Sequence, residues 1–136
     1  MICVDTTFLV DLWRTRDLPN SPTKDLLNAK PGVEFIVPAH AAGEFLEGGA
    51  AVSPKRLEES LAFLRLFRIG AVDVETAYRY ATIVAELRRT AALTERSKPD
   101  LWIAAYAIQH AAPLVTRNTK HFTDIPGLEL IEYSGR

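Results

Sequence analysis

The sequence has little of what marks a secreted or membrane protein. It has one cysteine in 136 residues, Cys3, so no disulfide can form within the chain. Cys3 sits in a short apolar run, and we expect a buried thiol in a reducing compartment. No stretch reaches the roughly 18 apolar residues that span a bilayer, and the N-terminus has no signal-peptide leader. We therefore expect a cytoplasmic protein without a membrane partner.

Net charge is almost absent as well. The formal value is −1 at neutral pH, so local basic groups and bound metal would have to attract any polyanion. With 48% hydrophobic residues, a chain of this length can bury a sufficient core without a disulfide or a structural metal. There is no internal repeat, low-complexity tract or dividing linker. We predict a single domain over residues 1–136.

Short apolar runs alternate with segments of helical periodicity. Strands are predicted at residues 2–4, 35–37, 72–74, 114–115 and 128–131. Helices are predicted after Asp5 with a threonine N-cap, at about 22–29 and 40–48, from Ser53-Pro54 onwards, at about 75–93, and from Ser97 to about 111. This alternation favours one α/β domain in which helices cover a parallel sheet.

Three acidic residues fall where such a sheet binds ligands, outside the carboxyl ends of its strands. Asp5 ends the first strand, and Glu44 lies in the helix after the second. Asp100 lies in the first turn of the helix that leads to the strand at 114, and Thr116-Arg117-Asn118 ends that strand. We expect these four segments to meet at one edge of the sheet.

Carboxylates gathered at neutral pH repel one another unless they are protonated or neutralised by a cation. Oxygen ligands suit Mg²⁺ or Mn²⁺, which keep several waters and accept phosphate oxygens. Such a metal supports phosphodiester hydrolysis by an activated water, without a protein nucleophile. The residues therefore predict a metal-dependent hydrolase acting on a phosphodiester.

Each acid, taken alone, also has a structural interpretation. Asp5 is placed to accept hydrogen bonds at the start of the next helix, and Glu44 could be a solvated helix residue. Asp100 fits a capping box with Ser97. Their joint placement is what favours the metal site.

The chain resembles PIN-domain proteins, in particular the VapC-type toxins of VapBC toxin–antitoxin systems. The resemblance runs nearly end to end and rests on four blocks: Val4-Asp5-Thr6-Thr7-Phe8-Leu9, Glu44-Phe45, Pro99-Asp100-Leu101-Trp102-Ile103-Ala104-Ala105, and Leu114-Val115-Thr116-Arg117-Asn118-Thr119-Lys120-His121-Phe122. It implies a three-layer α/β/α PIN-like domain with a central parallel sheet. It also implies a ribonuclease that cleaves single-stranded RNA and leaves a 5′-phosphate and a 3′-hydroxyl.

The resemblance assigns roles to individual residues. Asp5 and Asp100 would be the principal ligands of Mg²⁺ or Mn²⁺, and Glu44 would complete the acidic set directly or through water. Thr6 and Thr116 would orient carboxylates or water by hydrogen bonding. Asn118 stands where many relatives have a fourth acid, so the site carries less negative charge. The resemblance further implies a VapB-type antitoxin partner and a homodimer.

Basic residues beside the proposed site are candidates for phosphate contacts, namely Lys98, Arg117 and Lys120. His121 could protonate a leaving oxygen or could be a plain surface residue. A phosphatase of the Asp-x-Asp-x-Thr type is disfavoured, because Thr7 stands in place of the second aspartate. The other alternative is a PIN-like binding module that works with an antitoxin as a DNA-binding repressor complex, with weak or no catalysis.

Overall fold

The computed structural model describes residues 1–90 and 96–133. In chain order its elements are β1 (Ile2–Val4), α1 (Thr6–Arg14), α2 (Pro22–Asn28), β2 (Phe35–Pro38), α3 (Ala39–Val52), α4 (Pro54–Leu64), β3 (Arg68–Gly70), α5 (Val74–Arg89), α6 (Lys98–Gln109), β4 (Leu114–Thr116), a 3₁₀ helix (Thr119–Phe122) and β5 (Leu130–Glu132). None of the helices in these ranges has the length and apolar character needed to cross a bilayer.

The strands form one parallel sheet in the order β3-β2-β1-β4-β5. Cys3 in β1 pairs with Ile36 of β2 on one side and Leu114 of β4 on the other. Every residue of β1 and β4 is buried. Because successive side chains of a strand point to opposite faces, helices must cover both faces of the sheet. The predicted α/β/α fold with a central parallel sheet is confirmed.

The strand order places a switch point between β1 and β4. The chain adds β2 and then β3 on one side of β1, and later adds β4 and β5 on the other. Connections that leave in opposite directions open a crevice at the carboxyl ends of the two central strands. The residues that follow β1 and end β4, Asp5 and Thr116, therefore lie at this crevice.

The core is built from the central strands and the helices against them. Phe8 and Leu9 of α1, together with Ile103 of α6, are completely buried. The α6 helix buries six of its residues, Leu101, Ile103, Ala104, Ala105, Tyr106 and Ala107. The helix predicted from Ser97 is thus confirmed, and its burial fixes the end of α6 that carries Asp100.

The strand predicted at residues 72–74 is wrong. The third strand is β3, Arg68–Gly70, at the edge of the sheet, where the ion pair between Arg68 and Glu34 spans 2.9 Å. Residues 72–74 instead lead into α5, because the Asp73 side chain accepts the Thr76 backbone N–H at 3.1 Å and Thr76 bonds back in a capping box. A charged, exposed edge strand lacks the apolar run that marks a central one.

Other boundaries differ by a few residues. The helix predicted at 40–48 is longer, Ala39–Val52, and the last strand begins later, at Leu130. The helix predicted to reach residue 93 ends at Arg89, and residues 91–95 lie outside the described ranges. The helix predicted to start at Ser53-Pro54 is confirmed, and Ser53 caps it by accepting the Arg56 N–H. The 3₁₀ helix before β5 was not predicted.

Candidate active site

Asp5 lies directly after β1 and caps the N-terminus of α1. Its Oδ1 accepts the Phe8 backbone N–H at 3.1 Å and the Thr7 hydroxyl at 2.7 Å, and its Oδ2 accepts the Thr116 hydroxyl at 2.5 Å. The expected threonine N-cap is wrong, because the Asp5 carboxylate takes that position, where the helix dipole favours negative charge. Capping uses only one of the two carboxylate oxygens, since Oδ1 accepts the Phe8 N–H and Oδ2 accepts the Thr116 hydroxyl.

Asp5 is only 3% exposed, and this burial raises the pKa of its carboxyl above the ordinary value. Hydrogen bonds from Thr116, Thr7 and the Phe8 N–H lower the pKa in part, and the charge of Asp100 raises it. Burial is the largest of these effects on the Asp5 pKa, and the charge of Asp100 is the smallest. A cation bound beside Asp5 would oppose both of them and favour the ionised form.

Asp100 is the third residue of α6, and Ser97 caps that helix by accepting the Asp100 backbone N–H at 3.1 Å. In the described part of the chain, the Asp100 carboxylate contacts the His121 imidazole, with Nδ1 and Oδ2 3.2 Å apart, and not the Ser97 N–H. The reciprocal half of the expected capping box is therefore missing. The side chain of Asp100 therefore lies against His121 instead of its own helix end.

Glu44 lies in α3 and is tied to the first turn of α1. The Thr6 hydroxyl donates to Glu44 Oε1 at 2.7 Å, across 38 positions of the sequence. Thr6 follows Asp5 immediately, so this bond brings Glu44 to the same end of α1 as Asp5. Glu44 is half-buried, whereas Glu47, about one turn away in the same helix, is exposed.

The end of β4 is held to the start of α1 by hydroxyl groups. Thr116 is completely buried, and its Oγ1 accepts the Asn118 backbone N–H at 2.9 Å while donating to Asp5. Thr7 Oγ1 accepts the Arg117 N–H at 3.4 Å and donates to Asp5. Thr7 was not among the predicted site residues, although an Asp-x-Thr pair is a known local hydrogen-bonding pattern.

The basic candidates are spread around this centre. Arg117 pairs with the buried Asp11 in α1, Nε to Oδ2 at 2.9 Å, and the Tyr133 hydroxyl donates to the same oxygen at 2.7 Å. Asp11 and Tyr133 were not predicted from the sequence, because they are 122 positions apart and no local sequence pattern indicates that they are in contact. Lys98 and Lys120 are exposed. Arg117 is thus held against α1, and the two lysines extend into solvent.

The donor set fits an open site for a hard cation. Within the described residues, no group of three or more His, Cys, Asp or Glu side chains forms a ready-made metal cage. Mg²⁺ does not need one, because it is usually held by one or two carboxylates and completes its shell with water and phosphate oxygens. Asp5 and Asp100, with Glu44 nearby on α3, provide oxygen atoms of this kind.

Comparisons with known proteins agree with this geometry. The PIN domain family model matches residues 2–128. Ribonuclease VapC1 of Methanocaldococcus jannaschii is 33% identical over 122 residues, which cover 89% of this chain and 78% of the relative.

Solved structures agree as well. A chain of the crystal structure of VapBC2 from Rickettsia felis, bound to a DNA fragment from their promoter, superposes with a TM-score of 0.82 at 26% identity, covering 97% of this chain and 98% of that one. A chain of a toxin–antitoxin complex from Klebsiella pneumoniae superposes with a TM-score of 0.73 at 25% identity over 96% of both. The chain belongs to the PIN domain family, within its VapC branch.

Proposed function

We propose that this protein is a metal-dependent endoribonuclease that cleaves single-stranded RNA and acts as the toxin of a type II toxin–antitoxin pair. The observation that carries the proposal is the buried Asp5 carboxylate, which Thr116 and Thr7 hold at the crevice between β1 and β4. The relationship to a protein named Ribonuclease VapC1 supports the substrate class.

In this proposal, Asp5 and Asp100 hold Mg²⁺ or Mn²⁺, and Glu44 completes the acidic set directly or through water. When bound, the cation supplies charge stabilisation for the phosphate under attack and lowers the pKa of water. Thr116 fixes the Asp5 carboxylate, and Thr6 fixes Glu44. The Asn118 side chain, which makes no capping bond in its 3₁₀ helix, is available to position a water molecule.

The basic residues would orient the RNA backbone. Lys98 and Lys120 are exposed and can reach phosphate oxygens. Lys98 lies two residues before Asp100 in α6, and Lys120 precedes His121, which contacts Asp100. Arg117 retains N–H groups beyond the Nε that binds Asp11, and its side chain is 40% exposed. Hydrolysis would leave a 5′-phosphate and a 3′-hydroxyl, as the family resemblance implies.

The test is RNA cleavage by the purified protein. Mg²⁺ or Mn²⁺ should support cleavage and EDTA should stop it, while Asp5→Asn and Asp100→Asn should each lower the rate by at least about 100-fold, since each removes a metal ligand. Asp17→Asn is the matched control, because Asp17 is an exposed loop residue. Cleavage by Asp5→Asn and Asp100→Asn at the control rate would refute the site.

We further propose that the partner is a VapB-type antitoxin, that the protein forms a homodimer, and that it acts in the cytoplasm. The VapBC complexes among its structural relatives support the first of these. Expression should arrest bacterial growth unless the antitoxin is co-expressed, and Asp100→Asn should relieve the arrest. Size-exclusion chromatography with light scattering tests the dimer.

A second candidate function is a binding module that represses a promoter together with the antitoxin, with weak or no catalysis. The observation that favours it is the similarity to a chain of VapBC2 from Rickettsia felis bound to promoter DNA. The two functions separate in the growth assay, because repression by the complex would not depend on Asp5 or Asp100. Growth arrest that persists in both variants would favour the binding module.

A further inference from the structure

A groove of about 370 Å³ lies between α5 and α6. The residues along it include Tyr80, Val84 and Arg88 from α5, Arg96 from the segment before α6, and Lys98 and Leu101 from α6. Every charged side chain among the described residues that line it is a cation. In a chain of net charge −1, this concentration of positive charge selects for an anionic ligand.

Two of these cations have no competing ionic partner in the part of the chain that the structure describes. Arg88 and Lys98 are exposed, and neither forms an ion pair with any residue in the described ranges. The neighbouring Arg89 differs, because it is bound to Glu86. Arg88 and Lys98 can therefore bind a phosphate without first breaking a salt bridge.

Tyr80 is the terminal ring of an aromatic stack that reaches the groove. It stacks on Trp102 of α6 with ring centroids 4.2 Å apart and planes within 8°. Trp102 in turn stacks on His40 of α3 at 5.0 Å and 5°. Trp102 and His40 fix the orientation of Tyr80, so its ring is an ordered platform at the groove wall, and ordered aromatic rings are the surfaces on which unpaired bases stack.

The groove adjoins the acidic site. Lys98 and Leu101 flank Asp100 on the first turns of α6, and Arg96 donates to the His121 carbonyl oxygen at 3.1 Å. The His121 imidazole contacts Asp100. A strand whose phosphate lies at Asp100 would have its next nucleotides beside α5 and α6.

We propose that the groove between α5 and α6 binds single-stranded RNA next to the cleaved bond, with Arg88 and Lys98 at its phosphates and Tyr80 stacked on one base. This inference rests on the proposed function for its substrate class. It requires single-stranded RNA, because a paired base has no free face for Tyr80. The groove volume is in the range of pockets that hold small ligands, so it accommodates about one nucleotide.

The first test measures how much Arg88 and Lys98 contribute to RNA binding through their charge. Binding of a fluorescein-labelled 12-nucleotide oligouridylate is followed by anisotropy in EDTA, where no cleavage occurs. The double variant Arg88→Gln/Lys98→Gln should bind roughly 25-fold more weakly at about 0.1 M salt, and the slope of log K against log salt should fall by about 1.4, since each single-strand phosphate contact contributes about 0.7. Lys55→Gln/Arg65→Gln removes the same charge from the α4 segment and should change neither the slope nor the affinity by a comparable amount.

The second test measures how much the Tyr80 ring contributes to RNA binding by stacking on a base. Tyr80→Leu should weaken binding of the same RNA about fivefold or more, because it removes the aromatic face. Tyr80→Phe should restore the affinity. Tyr78→Leu is the matched control, since Tyr78 is 64% exposed on α5 but does not line this groove. Thermal unfolding of each variant establishes that the fold is intact.

The results separate this inference from the proposed function. If RNA is cleaved in an Asp5-dependent and Asp100-dependent manner while both groove variants bind like their controls, the groove assignment is overturned and the nuclease stands. If the groove variants lose binding but no metal supports cleavage, the groove stands and the nuclease fails. Equal binding of a 12-base-pair duplex, with the same sensitivity to Tyr80→Leu, would overturn the stacking role.

Discussion

The Thr116 hydroxyl donates to Asp5 Oδ2 at 2.5 Å, between residues 111 positions apart. Thr116 ends β4 and Asp5 follows β1, and these strands are adjacent, with Val4 paired to Val115. Thr116 is completely buried and Asp5 is 3% exposed. Water therefore cannot replace this donor, and the register of the two central strands determines where the Asp5 carboxylate points.

Removing this hydroxyl should loosen the site. Thr116→Val keeps the side-chain volume but leaves the buried carboxylate short of one donor, so we expect the free energy of unfolding to fall by about 1–3 kcal/mol. Mn²⁺ affinity should fall about 10- to 100-fold, as for other groups that orient metal ligands. Urea denaturation in EDTA and calorimetric titration with Mn²⁺ measure the two effects. Thr116→Ser keeps the hydroxyl, and identical values for the two variants would contradict this role.

The buried Asp5 should make stability depend on pH. Because its pKa is raised in the folded state, the folded protein keeps the proton at pH values where the unfolded carboxyl has lost it. The contribution of this group to stability is therefore full below the unfolded pKa and is lost as pH rises through the window up to the raised pKa. In EDTA, wild type should lose Tm relative to Asp5→Asn as pH rises above about 4, the ordinary pKa of an aspartate.

Scanning calorimetry at several pH values measures this difference in Tm. Asp17→Asn is the control, since it removes an exposed carboxyl and should leave the pH dependence of wild type intact. A constant gap between wild type and Asp5→Asn across the range would show that the buried carboxyl does not titrate as described.

His121 should support Asp100 as a positioning residue. Its Nδ1 lies 3.2 Å from Asp100 Oδ2, but its side chain is 55% exposed, so water can partly replace it. We expect His121→Ala to weaken Mn²⁺ binding by about tenfold or less. Electron paramagnetic resonance of free Mn²⁺ gives the affinity. Lys120→Ala is the neighbouring control. If it weakens Mn²⁺ binding as much as His121→Ala does, the effect comes from disturbing the 3₁₀ helix and not from the contact between His121 and Asp100.

Cys3 should be chemically inert in the folded protein. It is completely buried, and burial raises the pKa of its thiol to about 12. Because the thiolate is the reactive form, Ellman's reagent at about pH 8 should label the native protein only as fast as it unfolds, and should label it rapidly in urea. Fast labelling of the native state would mean that β1 opens to solvent.

The sequence by itself determined the class of fold. It also identified three acidic residues as candidates for the site, Asp5, Glu44 and Asp100, but not Asp11. Alternating apolar and helical patterns predicted the parallel α/β sheet, because burial on both faces leaves a continuous apolar run in β1 and β4. Local signals also predicted the helix starts at Ser53-Pro54 and at Ser97, since capping depends on neighbouring residues. They failed at β3, where the exposed Arg68 breaks the apolar pattern, and at Asp73, which caps a helix in place of the predicted strand.

Only the tertiary structure decided how the candidate site is assembled. The strand order put the switch point between β1 and β4, which no local pattern reveals because strand neighbours are chosen by packing across the whole domain. The same packing gave Asp5 its Thr116 donor, tied Glu44 to Thr6, turned Asp100 toward His121 and drew Arg117 to Asp11. The sequence supplied the carboxylates, and long-range contacts determined which donors hold them and in which direction they point.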